Sequence, residues 1–549
     1  MWNQVYDPLN NPWLSTLAAA IPVIVMLASL AFFHIKAHIA AGLGLLSALI
    51  VAIFAYSMPA TTAVSAALFG AANGLLPIGW IVLNVIFLYQ LTERKGYFKI
   101  LQESITTITT DRRLQLLLVA FSFGAFFEGA GGFGTPVAVT GALLIGLGFA
   151  PLAASGLSLI ANTAPVAYGA LGTPIIALAA VTGLDMLQLS GMVGRQLPLF
   201  SLMVPFWLIW AFCGFKGMRE IWPAILVAGV TFAVPQFFIS NYHGPWLVDV
   251  GAAICSMTCL TLFLKIWKPA TIWTNPAGKF KSAGEMEVTP VVGQYTTQQV
   301  LRAWMPWLIL SLLVFFWGIP EWKKYLDGLS VIKIEWPALH KMVQKMPPIV
   351  SKMSPEAAVY NLNWLSATGS GVLIACVLSG LLMGYKITEL VKTYWETIKL
   401  LKFSLLTIAT MLSLGYITRY CGLDSTLGLA FAHTGVLYPF FGTLLGWLGV
   451  ALTGSDTASN VLFGGLQKAS AQQLGINPVL MASANSSGGV MGKMIDAQSI
   501  VVAATATKWF GHEGEILRYV FFHSIVLACL VGVVVMLQAY VYPFTLMVY

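Results

Sequence analysis

Residues 14–33, 39–56 and 75–91 carry no Asp, Glu, Lys or Arg, and each run is roughly long enough to cross a hydrocarbon core as a helix. Similar runs recur almost to the C-terminus. In lipid every backbone N–H and C=O must find a partner within the protein, and a continuous apolar run does so as a helix. Composition agrees: 58% of the 549 residues are hydrophobic and 9% are charged, whereas soluble domains carry about a quarter charged residues. An all-α polytopic membrane protein with about 12–14 transmembrane helices is expected, some of the Gly- and Pro-broken runs being re-entrant hairpins.

Residues 1–12 contain Asp7 and no Lys or Arg, so they lack the basic region of a cleavable signal and the first helix is expected to be retained. Basic residues collect in connectors: Lys36, then 94–113, 216–219, 265–302 and 386–402. This positive-inside bias places those connectors in the cytoplasm and the Lys- and Arg-free connectors 58–62 and 241–244 outside. Alternation then requires three crossings between Leu114 and Leu184. The 321–354 loop falls outside by parity despite its lysines, which accompany Glu321, Asp327 and Glu335. The net charge of +8 therefore reports membrane orientation, and no nucleic-acid partner is expected. The cysteines form no disulfide or metal framework. The expected division is 1–60, N-terminal helices; 61–266, a first repeat; 267–365, a cytoplasmic loop, one helix and an external loop; and 366–549, a second repeat with a C-terminal helix.

Glu128 is the only charged residue between Leu114 and Leu184, and Asp456 the only one between Ser425 and Gln467. An unpaired carboxylate in hydrocarbon costs at least a few kcal/mol. Carrying a proton is the cheaper state, so two isolated acids in two apolar runs point to ion-coupled transport. Overlaying the runs sets Glu128-Gly129-Ala130 opposite Gly454-Ser455-Asp456, Ala150-Pro151 near Asn477-Pro478, and Ala161-Asn162-Thr163 opposite Ala484-Asn485-Ser486. Loop charge gives the two runs opposite orientations, as in transporters built from inverted repeats whose broken helices meet at the midplane.

The stretch from Glu128 to Pro136 contains the spacing Gly129-x-Gly131-x-x-Gly134. No strand precedes it and no ribose-binding acid follows, so a dinucleotide site is not supported. Gly131, Gly132 and Gly134, followed by Thr135 and Pro136, read instead as an unwound helix whose N–H groups face a cavity and suit a carboxylate substrate. The second break, Thr453 to Asn460, presents Ser455, Thr457, Ser459 and Asn460 around Asp456. That density of donors is wasted in lipid unless it lines a wet cavity. Asn162 and Thr163, and in the second half Asn485, Ser486 and Ser487, read as further interrupted helices facing the breaks. Lys493 is placed to neutralise Asp456, to pair with Asp496 or to meet a substrate carboxylate. His433, alone in its run, is a candidate proton relay or a core histidine. Neither a metal motif nor a cofactor site is present; His512-Glu513-Gly514-Glu515-Ile516 does not complete a zinc-protease pattern.

The segments from Glu128 to Ala138, Asn162 to Ala167, Met192 to Pro198, Ala432 to Gly435, Thr453 to Asn460 and Ser486 to Ile495 together resemble the bacterial lactate permease family over essentially the full chain. The resemblance implies a multi-pass protein of the bacterial inner membrane that takes up L-lactate, D-lactate or glycolate with a proton. Its partners would be a small 2-hydroxy monocarboxylate, H⁺ and the bilayer; oligomeric state is left open. The residues themselves also admit sodium coupling at Asp456. A membrane-embedded enzyme is the rival from another class, and it lacks a catalytic domain or nucleotide site.

Overall fold

The structure is a computed structural model and describes all residues except 32, 34, 107, 133–134, 275–294, 351 and 510–511. Among the described residues, 10 helices are long and apolar enough to span a membrane, or 11 with the pair Pro151–Ala161 and Val166–Thr182, bent by 63°. The first helix, Pro12–Ala31, has 20 residues and also reaches membrane length, whereas Thr135–Gly146 and Thr368–Leu382 are shorter apolar helices. Glycine and proline end or bend these elements where the apolar run itself continues.

Two of the breaks turn the chain back on itself. The span Arg112–Ala130 ends where the Gly131 N–H bonds Phe127 O at 2.8 Å, and Thr135–Gly146 returns beside it, with Thr140 against Gly124. The 114–184 region, expected as three crossings, is a hairpin followed by the bent pair Pro151–Ala161 and Val166–Thr182. In the second half, Tyr438–Thr453 and Asp456–Leu474 lie antiparallel: Gln467 Nε2 donates to Gly442 O at 2.6 Å, and Ser459 Oγ to Gly446 O at 3.1 Å.

The hairpins are rooted at opposite ends of the bundle. At one end the basic connectors gather: Arg113 pairs with Glu220 at 2.7 Å and donates to Thr271 O at 2.8 Å, and Arg94 pairs with Glu396 at 2.5 Å. The first hairpin starts there. The opposite end carries a small sheet domain, in which Ile332–Glu335 pairs antiparallel with Val359–Leu362, and the N-terminal strand Trp2–Asn3 adds to Val343–Lys345. Gln473, at the root of the second hairpin, donates to Pro348 O of this domain at 3.2 Å.

Glu356 fastens that domain to the helices. Its buried carboxylate meets Arg419 at 2.6 Å and also pairs with Lys345. Burial opposes ionisation of Glu356, but the charges of Arg419 and Lys345 outweigh it and hold the carboxyl below the usual carboxylate range. A depressed folded pKa gives stability that is present above the unfolded value of about 4.3 and lost as pH falls through the folded one. Replacing Glu356 with Gln strands two cations, at a cost of about 3 kcal/mol. The expected result is earlier thermal unfolding of the Glu356→Gln protein at pH 7, with the gap to the unsubstituted protein closing under acid.

One expected interruption is absent. Residues 485–489 lie inside the unbroken helix Pro478–Gly492. Its glycines serve close packing: a Cβ at Gly488 or Gly492 would strike the backbone of Thr443 or Trp447 on the neighbouring helix, and one at Gly446 would strike Asn485. Small residues four apart on facing helices allow that approach without unwinding.

Candidate functional site

The tips of the two hairpins meet on one cavity of about 190 Å³. Glu128, Gly132, Ser455, Asp456, Thr457 and Lys493 line it, so six of the expected residues come together from segments more than three hundred positions apart. The acids occupy opposite sides of their breaks: Glu128 is in the last turn of Gly124–Ala130, whereas Asp456 opens Asp456–Leu474.

At the first tip, Glu128 is 4% exposed and its Oε1 fills the space a side chain at Gly169 would need. Gly169 belongs to a segment in which Ala170, Leu171 and Gly172 all have left-handed φ, of 45°, 55° and 78°. Two consecutive non-glycine residues in that region are strained, and such strain persists where the surroundings fix a site. Ala170 stands against Gly132, itself at φ 61°, which shapes the wall beside the acid. Asn162, at the C-cap of Pro151–Ala161, faces the Glu128 carboxyl outside regular hydrogen-bond geometry.

At the second tip, Gly454 adopts φ 72° and Ser455 caps the following helix, accepting from Ala458 N at 3.3 Å. Asp456 Oδ2 accepts from Ser486 Oγ at 2.5 Å and from Asn460 Nδ2 at 3.3 Å. Asn460 also donates to Pro174 O at 3.2 Å, which ties the second hairpin to the bent pair of the first half. Asp456 Oδ1 finds no hydrogen-bond donor among the described residues. Lys493 Nζ donates to Gly454 O at 2.6 Å and lies 3.4 Å from Asp496, so of its three possible roles the pairing with Asp496 is realised. Among the described residues it is also the only Lys or Arg on the cavity wall. First-turn N–H groups and the positive end of the helix Asp456–Leu474 add to its field.

Other expected ligands stand behind the wall. Thr163 Oγ1 donates to Ile160 O, Ser459 Oγ to Gly446 O and Ser487 Oγ to Gln196 Oε1 at 2.6 Å, so these hydroxyls hold helices rather than face the cavity. Gly131 caps its helix. Ser486 acts through Asp456, and Asn485 donates to Asn460 Oδ1 at 2.9 Å. Thr135 opens the helix Thr135–Gly146, and Gly134 lies outside the described residues. His433 is exposed in the short helix Ala432–Leu437 and is not on the cavity wall.

The sequence reading missed Ser404, Thr407 and Gln498 as wall residues. Ser404 and Thr407 sit one turn apart on Ile387–Cys421, a 35-residue helix with no break to mark them. Thr173 and Pro174 complete the polar side of the wall. Gly489 packs directly on Asp456 Oδ1, and a Cβ there would occupy the carboxyl's position. Gly489→Ala is expected to cut transport at least tenfold while the protein still elutes as a folded species in detergent.

Membrane-length helices with two oppositely rooted hairpins around one small cavity that bears two acids and a lysine define a multi-pass membrane transporter. The chain belongs to the L-lactate permease family, whose match spans residues 15–542. It is therefore a permease and not an enzyme. It is 47% identical over 552 residues to glycolate permease GlcA of Escherichia coli (strain K12) and 45% identical over 548 residues to the L-lactate permease of the same strain, covering 98% of each chain in both comparisons. It is also 45% identical over 560 residues to the L-lactate permease of Bacillus subtilis (strain 168), covering 98% of this chain and 99% of that one. Among solved structures, the Alcanivorax borkumensis YdaH transporter matches with a TM-score of 0.43 and 13% identity over 86% of each chain.

Proposed function

We propose that the chain takes up lactate and glycolate together with a proton across the bacterial inner membrane. The observation that carries this reading is the convergence of two buried acids and one lysine on a cavity of about 190 Å³. That volume lies below the roughly 300–1,000 Å³ of sites for drug-sized ligands and accommodates a small hydroxy acid. The substrate carboxylate binds Lys493 and the N–H groups opening Asp456–Leu474, and its 2-hydroxyl meets Ser455 or Thr457. Glu128 and Asp456 supply the coupling: an anionic substrate beside two carboxylates is repelled, and protonation removes the repulsion. Loaded and empty sites then differ in charge, which gives the outward and inward states different stabilities.

The two halves, 61–266 and 366–549, act as inverted repeats in this reading. Opposite rooting of the hairpins supports it, as do the acids at their tips. Radiolabelled lactate uptake into Na⁺-free proteoliposomes checks the function: an inward proton gradient is expected to drive accumulation. Uptake that appears only with Na⁺ would assign Asp456 and its neighbours to sodium instead.

A further inference from the structure

Asp249 is a further buried acid at the Glu128 tip. It lies in the first turn of the helix Val248–Ile266, is 1% exposed, and neither carboxyl oxygen has a hydrogen-bond donor among the described residues. Gly129, the residue after Glu128, packs onto its Cβ with no space for a side chain between them. Of the ionisable groups facing it, Glu128 comes from the hairpin and Tyr168 from the segment after Asn162; Tyr168 is committed to Ser190 O at 2.7 Å. No cation among the described residues offsets its charge. A carboxyl so placed contributes nothing to packing that Asn or Leu would not supply, and an unpaired carboxylate there is costly.

Its position links two regions. The preceding connector reaches the end of the bundle that bears the sheet domain, where Lys323 lies over the Trp246 ring at 5.5 Å. The first hairpin is rooted at the opposite end, so its tip meets Asp249 from the other side. Asp249 thus stands between the sheet-domain end and the Glu128 carboxyl, and the first turn of its helix favours a transient negative charge.

We propose that Asp249 is the proton donor to Glu128, receiving each coupling proton from the sheet-domain side and passing it to the hairpin tip. The Asp249 O–H bond breaks as an O–H bond forms on the Glu128 carboxylate. Asp249 then regains a proton from the sheet-domain side, and nothing is oxidised or reduced. The proposal rests on proton symport, and the wild-type protein reports on that premise separately. If the wild type does not accumulate lactate on a pH gradient, symport itself fails.

Given wild-type accumulation, Asp249→Asn and Asp249→Glu are compared for pH-driven accumulation and for lactate–lactate exchange, both in proteoliposomes. Asp249→Asn is expected to lower accumulation at least tenfold but exchange less than threefold, and Asp249→Glu to restore accumulation. The exchange-to-accumulation ratio is a readout that a merely structural role would not move. Asp249→Asn accumulating lactate as the wild type does would overturn the proposal. So would loss of both activities in equal proportion, or an Asp249→Glu protein that exchanges yet does not accumulate.

Discussion

Asp456→Asn is expected to abolish pH-driven accumulation of lactate, a loss of at least a hundredfold, with the protein still folded. The substitution preserves shape and keeps a group able to bond Ser486 and Asn460, the partners of Asp456 Oδ2. What disappears is the ability to alternate between charged and neutral forms at the head of the helix Asp456–Leu474. Without that alternation the loaded and empty sites carry the same protein charge, and a proton gradient has nothing to act on. Accumulation and exchange measured on the same vesicles check it: coupling chemistry predicts that accumulation falls further than exchange. Normal accumulation would remove Asp456 from the coupling machinery.

The second large effect concerns Lys493. Its side chain is 8% exposed, carries the only basic group on the cavity wall among the described residues, and offsets the buried Asp496. Lys493→Met leaves Asp496 without its cation and removes the strongest partner for a substrate carboxylate. Truncating one partner of a buried, hydrogen-bonded charge pair formed on binding costs about 2–5 kcal/mol, and about 1.4 kcal/mol is tenfold in affinity. A rise of at least a hundredfold in the half-saturating lactate concentration is expected from initial uptake rates. Lys493→Arg is expected to recover part of the affinity, because the charge returns in a bulkier planar form. A Lys493→Met protein with unchanged half-saturation would place the substrate carboxylate elsewhere.

The parts of this site that were legible in the sequence are those where a residue contradicts its apolar surroundings. Glu128 and Asp456 declare themselves by isolation, and Gly132 by its place in the glycine run after Glu128, where it takes a φ of 61°. Composition alone sets the helical membrane class. Residue type could not tell an unwinding glycine from a packing one. Gly488, Gly489 and Gly492 resemble the glycines after Glu128, yet they lie along an unbroken helix against Tyr438–Thr453. Hydroxyls were ambiguous for the same reason: Thr457 faces the cavity, but Ser459, two positions on, is turned to Gly446.

Asp249 escaped notice because it follows a polar connector, where an acid ordinarily reaches water. Only the approach of Gly129 reveals that it is buried at the hairpin tip. Ser404 and Thr407 were invisible for the opposite reason, being ordinary residues in a helix whose tertiary placement brings them to the wall. Solitude in an apolar run does not separate a cavity-facing histidine from an exposed one, and His433 is exposed.

Proton movement recorded during lactate entry tests the symport mechanism most directly. Lactate is added outside weakly buffered, Na⁺-free proteoliposomes with no imposed gradient, and the external pH is followed with protein-free vesicles as the baseline. Symport through Glu128 and Asp456 predicts external alkalinisation that tracks labelled lactate uptake and vanishes in the Asp456→Asn protein. Protein-dependent lactate entry with no accompanying change in external pH would contradict it.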